Sequence, residues 1–126
     1  MRAAGEFLKG LNMLPELKLN DFAKEVRRNS EAHGFKSVNE DPLQLTAWMY
    51  KEVMELYDEF LAYNRADETR YGEDGKPEGV PSEIADIILI CMVMAEQYGI
   101  DLEAAIIEKH TYNETRPYLH KKGEQE

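Results

Sequence analysis

Apolar residues recur at helical spacing in four segments of this chain, and no segment shows the period-two alternation of a strand. The first segment covers about residues 21–33, with Asn20 as its expected N-cap and Gly34 as its stop. Phe22 and Val26 give it a thin apolar face, and Lys24, Arg27 and Arg28 a solvated one. The second segment has the clearest start. Asp41 can cap it, Pro42 suits the first helical position, and Gln44 completes a capping-box-like pattern. This helix should continue to about Asn64. Residues 64–82 are polar and turn-rich, with Gly72, Gly75, Pro77, Gly79 and Pro81. That tract is long for a plain connection and reads as a mobile loop over a site. A third helix should open at Pro81 with Ser82 as cap and run to about Tyr98, where Gly99 ends it. The fourth should start at Asp101 and run to about Arg116, because Pro117 disfavours helix in the residue before it. The polar tail, residues 120–126, is expected to fray.

Two of these helices carry acids where solvated charge is not expected. On the second, Leu45, Met49, Leu56, Phe60 and Tyr63 form an apolar face. At ~100° per residue Glu52 falls in the middle of that face. Glu55 and Glu59 lie along its edge beside Trp48, whereas Lys51, Asp58 and Arg65 should point to the other side. Glu59 is either an outer acid of a site or simply solvated. On the third helix Glu83 and Asp86 repeat the i,i+3 spacing of Glu52 and Glu55, which places each pair on one face. Acids in a first helical turn also suit the positive end of the helix dipole, so the second pair alone proves little. Residues 84–95 hold no charge but Asp86. A helix apolar all round is normally surrounded by protein, so self-association through this third helix is expected.

The first pair sits inside the apolar stripe, where unpaired negative charge is costly. A hard divalent cation is the simplest remedy, and magnesium commonly bridges carboxylates to substrate phosphates. Other metal chemistries lack their ligands. Glu-x-x-His repeats of di-iron bundles are absent, His33, His110 and His120 are scattered, and Cys91 stands alone in an apolar run. An all-oxygen set favours magnesium or manganese. On the fourth helix Lys109, Asn113 and Arg116 share a face at i, i+4 and i+7. They could hold phosphate oxygens, or simply suit a helix C-terminus. P-loop, Rossmann and Gly-x-Ser-x-Gly patterns are absent.

Bulk properties narrow the partners. The chain has 126 residues and a formal net charge of -10, which argues against polymeric nucleic acid but not against free nucleotides. A lone cysteine fits a reducing compartment. No run is long and apolar enough to span a bilayer, and the first 17 residues lack a signal-peptide pattern. A single cytoplasmic domain is expected.

The ordered set of strings is more specific than any member. Glu52-Val53-Met54-Glu55, a long loop, Glu83-Ile84-Ala85-Asp86, then Lys109-His110-Thr111-Tyr112-Asn113-Glu114-Thr115-Arg116 resembles the MazG-like all-α nucleoside triphosphate pyrophosphohydrolases. Gly34-Phe35, Gly99-Ile100-Asp101 and Pro117-Tyr118-Leu119-His120-Lys121-Lys122 are also similar to short, single-domain members. The resemblance covers about residues 22–122. It implies an all-α antiparallel bundle of about four helices, one domain with its core at about residues 20–118, assembled as a homodimer or homotetramer. It further implies hydrolysis of a (d)NTP to (d)NMP and pyrophosphate, with Glu52, Glu55, Glu83 and Asp86 on Mg2+ (or Mn2+). One of Glu52 and Glu55 would activate water, and Lys109, Asn113 and Arg116 would contact the nucleotide. Trp48 and Tyr112 are candidates for stacking on the base, or core residues. The alternatives are a dUTPase, a phosphoribosyl-ATP pyrophosphohydrolase, or a noncatalytic helical oligomeric partner protein with a solvated acidic face.

Overall fold

The computed structural model describes residues 18–62 and 65–117. Tyr63, Asn64 and the segment after Pro117 lie outside the described residues, and so do the expectations that fall on them. The described chain is predominantly helical: α1 (Leu19–Ala32), α2 (Lys36–Asn39), α3 (Pro42–Ala62), α4 (Val80–Gln97) and α5 (Leu102–Thr115). Between α3 and α4 it forms a two-stranded antiparallel hairpin, β1 (Arg70–Tyr71) and β2 (Pro77–Glu78). The expected all-α reading therefore holds for the bundle and misses a short helix and a small sheet. Strands of two residues are too short to show an alternating pattern.

The apolar sequence of α4 decides the arrangement. The helix packs against α1 on one side and α3 on the other. Its Val80, Met92, Val93 and Ala95 join Ala23 of α1 and Leu45 of α3 as the buried apolar core. α5 packs mainly on α1 and has no buried residue. Cys91 is half-buried, and burial pushes its thiol pKa up.

The helix ends show which local signals hold. Asp41 caps α3, its Oδ1 accepting from the N–H groups of Leu43 (3.0 Å) and Gln44 (3.3 Å). Asp101 caps α5, accepting from Ala104 N–H at 3.1 Å. Arg116 is extended, as the following proline requires. Two expected caps act elsewhere. Asn20 lies inside α1, and its Oδ1 accepts from the N–H groups of Leu102 (2.9 Å) and Glu103 (3.2 Å) at the start of α5. Glu103 answers by accepting from Asn20 N–H at 2.9 Å. Ser82 lies inside α4, and its hydroxyl donates to the Pro77 carbonyl at 3.1 Å, tying the helix to β2.

Large apolar side chains remain exposed on α3: Leu43, Tyr50, Met54, Tyr57 and Leu61. With Ala47 their spacing alternates between four and three residues, a continuous seam opposite the face that holds Leu45. Ile84 and Ile88 of α4 are exposed as well.

Gly79 joins the hairpin to α4 with φ 113°, and a Cβ there would stand 2.9 Å from the Glu68 carbonyl oxygen. Both the backbone angle and the contact exclude a side chain. Gly79→Ala should therefore lower stability by about 1–3 kcal/mol, read as a fall in urea midpoint without loss of helix in the remaining folded fraction.

Candidate metal centre and adjoining cavity

The packing of α3 on α4 brings the two acid pairs to one place. Carboxylate oxygens of Glu52, Glu55 and Glu83 lie within 4.8 Å of one another, and all three residues are half-buried. Asp86, one turn along α4 from Glu83, lines the same cavity of about 420 Å³. Like charges so close repel, and withdrawal from water sharpens the cost. Burial, followed by the contact with Glu52 and the charges of Glu55, Glu52 and Asp86, pushes Glu83 up to about 7. Burial likewise raises Glu52. The contact between the Glu52 and Glu83 carboxyls is a hydrogen bond only when one of them carries a proton. Otherwise Oε1 of each is buried with no hydrogen-bond donor.

The hairpin roofs this cavity. Arg70 on β1 donates from Nη2 to Glu59 Oε2 at 3.1 Å, which fastens the hairpin to α3 and identifies Glu59 as a half-buried paired acid. Lys76 and Glu78 then line the cavity from above, with Lys51 and Asp58 from α3. The expectation that Lys51 and Asp58 point away from the acids is thus corrected. They lie at the rim of the same face, where long side chains swing toward an acidic site, and Lys51 Nζ stands 3.5 Å from Glu55 Oε2. Lys76 was missed because it sits in a hairpin turn. Its nearest sequence signal is the Gly72 to Gly75 turn chemistry just before it.

Seven carboxylates and two lysines line the cavity, and the donors are all oxygen. Buried carboxylate oxygens without donors, clustered at this spacing, suit a hard divalent cation. Glu52, Glu55, Glu83 and Asp86 are the residues able to hold it.

A second cavity, of about 440 Å³, backs onto the first and shares Glu52 and Asp86 with it. It runs between α1, α2, α3 and α4. Its wall is largely apolar, from Val26, Leu45, Leu89, Ile90 and Val93, and it includes Trp48. Phe35 meets the Trp48 ring edge-on, with centroids 5.5 Å apart. Asn39 lines this cavity at 1 % exposure. Its Oδ1 accepts from Ser30 Oγ at 3.1 Å, while its Nδ2 has no partner. An unpaired buried donor costs about 1–3 kcal/mol.

The basic trio does not join the acids within one chain. Lys109 and Asn113 lie on α5 and Arg116 follows directly after it, and none of the three lines either cavity. Lys109 and Arg116 instead flank the exposed ring of Tyr112, at 5.5 and 5.7 Å from its centroid. Tyr112 therefore does not face the cavity that holds Trp48.

A carboxyl that keeps its proton more tightly when folded makes the unfolded chain the more acidic form, so stability falls as pH rises between the two pKa values. For Glu83 that window runs from 4.5 to about 7. Chelator-treated protein should lose thermal stability across this range. Glu83→Gln should flatten the slope in differential scanning calorimetry.

Residues 51–126 match the family model described as the MazG-like family. No curated protein and no solved structure matches the chain. The matched stretch includes both acid pairs and the whole of α4 and α5, and since it spans more than half of the sequence, the chain belongs to the MazG-like family.

Proposed function

We propose that this protein is a magnesium-dependent nucleotide pyrophosphohydrolase that cleaves a (d)NTP at the α-phosphorus to (d)NMP and pyrophosphate. The observation that carries the reading is the triad of Glu52, Glu55 and Glu83 oxygens within 4.8 Å, with buried oxygens that lack donors. Glu52, Glu55, Glu83 and Asp86 would hold Mg2+ (or Mn2+). When bound, the ion supplies charge neutralisation on the triphosphate and polarises its phosphorus. One of Glu52 and Glu55 orients the attacking water and takes its proton. The water oxygen bonds to the α-phosphorus while the bond to the bridging oxygen of the β-phosphate breaks, and the electron pair leaves with pyrophosphate. Lys51 and Lys76, at the rim of the cavity, offset the charge of the departing group.

Lys109, Asn113 and Arg116 enter this scheme across subunits. We propose a homo-oligomer, a dimer or tetramer, in which the outward seam of α3 packs against another copy and α5 of one copy supplies nucleotide contacts to another. The extent of exposed apolar surface on α3 supports it, since monomers rarely leave such a continuous patch in water. Family membership supports hydrolysis over a noncatalytic partner protein, because both acid pairs fall within the matched residues.

With magnesium and a panel of nucleoside triphosphates plus phosphoribosyl-ATP, pyrophosphate release should occur. Glu55→Gln and Asp86→Asn should each reduce kcat by about 100-fold or more while circular dichroism stays helical. A fully active Glu55→Gln/Asp86→Asn double variant would falsify the assignment. Sedimentation at micromolar concentration should show an oligomer that Tyr50→Glu/Tyr57→Glu dissociates; a wild-type monomer would contradict the assembly.

A further inference from the structure

Any phosphate that enters the acidic cavity meets seven carboxylates. A cation held by those carboxylates neutralises it from one side only, so a second positive group is needed on the other. Within one chain two side chains of the lining qualify, Lys51 and Lys76, and they are not equivalent. Lys51 rises from α3, the helix that carries Glu52 and Glu55, and its Nζ stands 3.5 Å from Glu55 Oε2. Its charge is engaged with an acid of the cluster. Lys76 comes from the hairpin and forms no ion pair among the described residues. An ammonium that lines an acidic cavity and pairs with none of its carboxylates keeps its donors for an incoming anion.

The backbone that carries Lys76 is held on several sides. Its N–H donates to Asp74 Oδ1 at 3.0 Å, and its carbonyl accepts from Gly72 N–H at 2.9 Å. The next residue, Pro77, is paired with Tyr71 in the hairpin, and its carbonyl accepts from Ser82 Oγ of α4 at 3.1 Å. On the opposite strand Arg70 Nη2 donates to Glu59 Oε2 of α3 at 3.1 Å. The hairpin is thus tied to both helices that carry the acids. Each anchor sits close to the cluster along its helix, Glu59 four residues after Glu55 and Ser82 directly before Glu83. The Glu59 side chain is only 17 % exposed, so its pair with Arg70 is screened less than a surface pair. A lysine stem fixed at its root in this way loses less freedom when it grips a ligand.

We infer that Lys76 makes a direct contact with the phosphates of the ligand from the side opposite the acids, while Lys51 remains the partner of Glu55. Glu59, acting through Arg70, is a positioning residue that holds the hairpin where Lys76 can make this contact. The inference rests on the reading of the acidic cavity as a metal and polyphosphate site, and adds to it a grip that one chain supplies without α5.

Inorganic tripolyphosphate has the charged tail of a nucleotide without its sugar or base, so it probes this contact without turnover of a nucleotide. Titrated calorimetrically into the full chain at saturating Mg2+, it should bind Lys76→Met about 10–100-fold more weakly than wild type. Lys76→Arg should restore most of the affinity, and Lys51→Met should cost less than Lys76→Met. Glu59→Leu should cost nearly as much as Lys76→Met. The double variant Glu59→Leu/Lys76→Met should bind no more weakly than Lys76→Met alone, since both changes remove one contact. Glu59→Gln, which keeps an acceptor for Arg70, should stay close to wild type. A Glu59 that only stabilised the fold would lower the melting temperature and leave the affinity of the folded protein unchanged. Should Glu59→Leu fail to fold, Ser82→Ala cuts the other tie and should show the same lack of additivity with Lys76→Met. Wild-type affinity in Lys76→Met, a larger loss in Lys51→Met, wild-type affinity in a folded Glu59→Leu, or additive losses in the double variants would each overturn the inference. A wild-type protein that binds no tripolyphosphate overturns both the inference and the reading beneath it. One that binds it through Lys76 yet releases no pyrophosphate from nucleotides overturns the hydrolase reading alone. One that releases pyrophosphate as well with Lys76→Met as without it overturns the role of Lys76 alone.

Discussion

The repulsion among Glu52, Glu55, Glu83 and Asp86 is the constraint on which the rest of this structure depends. Nothing in the acids themselves favours their approach. They are forced together because the apolar surfaces of α3 and α4 must meet, and α4 must also meet α1. Burying a side chain such as Leu45, Met92 or Val93 stabilises by about 1.5–3 kcal/mol. A few such contacts suffice to hold a carboxylate cluster whose repulsion raises the proton affinity of Glu83 and would be relieved by a cation. The hairpin adds to the same confinement. Arg70 donates to Glu59 at the margin of the cluster, and so fastens the hairpin over the acids nearer the centre.

The two cavities differ in what they could hold. They share Glu52 and Asp86 but little else in character. One is walled by charge and covered by a hairpin; the other is walled by helix-packing residues that would otherwise be ordinary core. Glu52 belongs to both because it is an acid placed at an apolar position of α3. A single helix face thereby joins the charged cavity to the apolar one.

Local signals mark the helix starts at Asp41 and Asp101 and the stop before Pro117, because each acts within a few residues of itself. Asn20 and Ser82 carried the same signature and serve other elements, since a capping side chain satisfies whichever N–H or carbonyl group the tertiary fold brings near it. The convergence of Glu52, Glu55 and Glu83 was readable from helical spacing and order. The parts contributed by Lys51, Lys76 and Asn39 were not. Lys51 depends on the reach of a long side chain around a helix, Lys76 on a hairpin too short to leave a pattern, and Asn39 on a four-residue helix below the length at which periodicity is visible. The second apolar face of α3 was hidden by the first: once Leu45, Leu56 and Phe60 define one stripe, Tyr50, Met54 and Tyr57 read as exceptions to it.

The reciprocal bonds between Asn20 and the start of α5 have a kinetic meaning. They join residues 81 to 83 positions apart, so forming them closes a loop that contains nearly the whole described fold. Such a closure is entropically costly before the intervening helices are packed. With no buried residue on α5 to add to it, the cap behaves as a latch, fastened after the bundle has formed and released at little expense to the acids. The element that carries Lys109 and leads into Arg116 is thus the one whose position the fold leaves most open to adjustment.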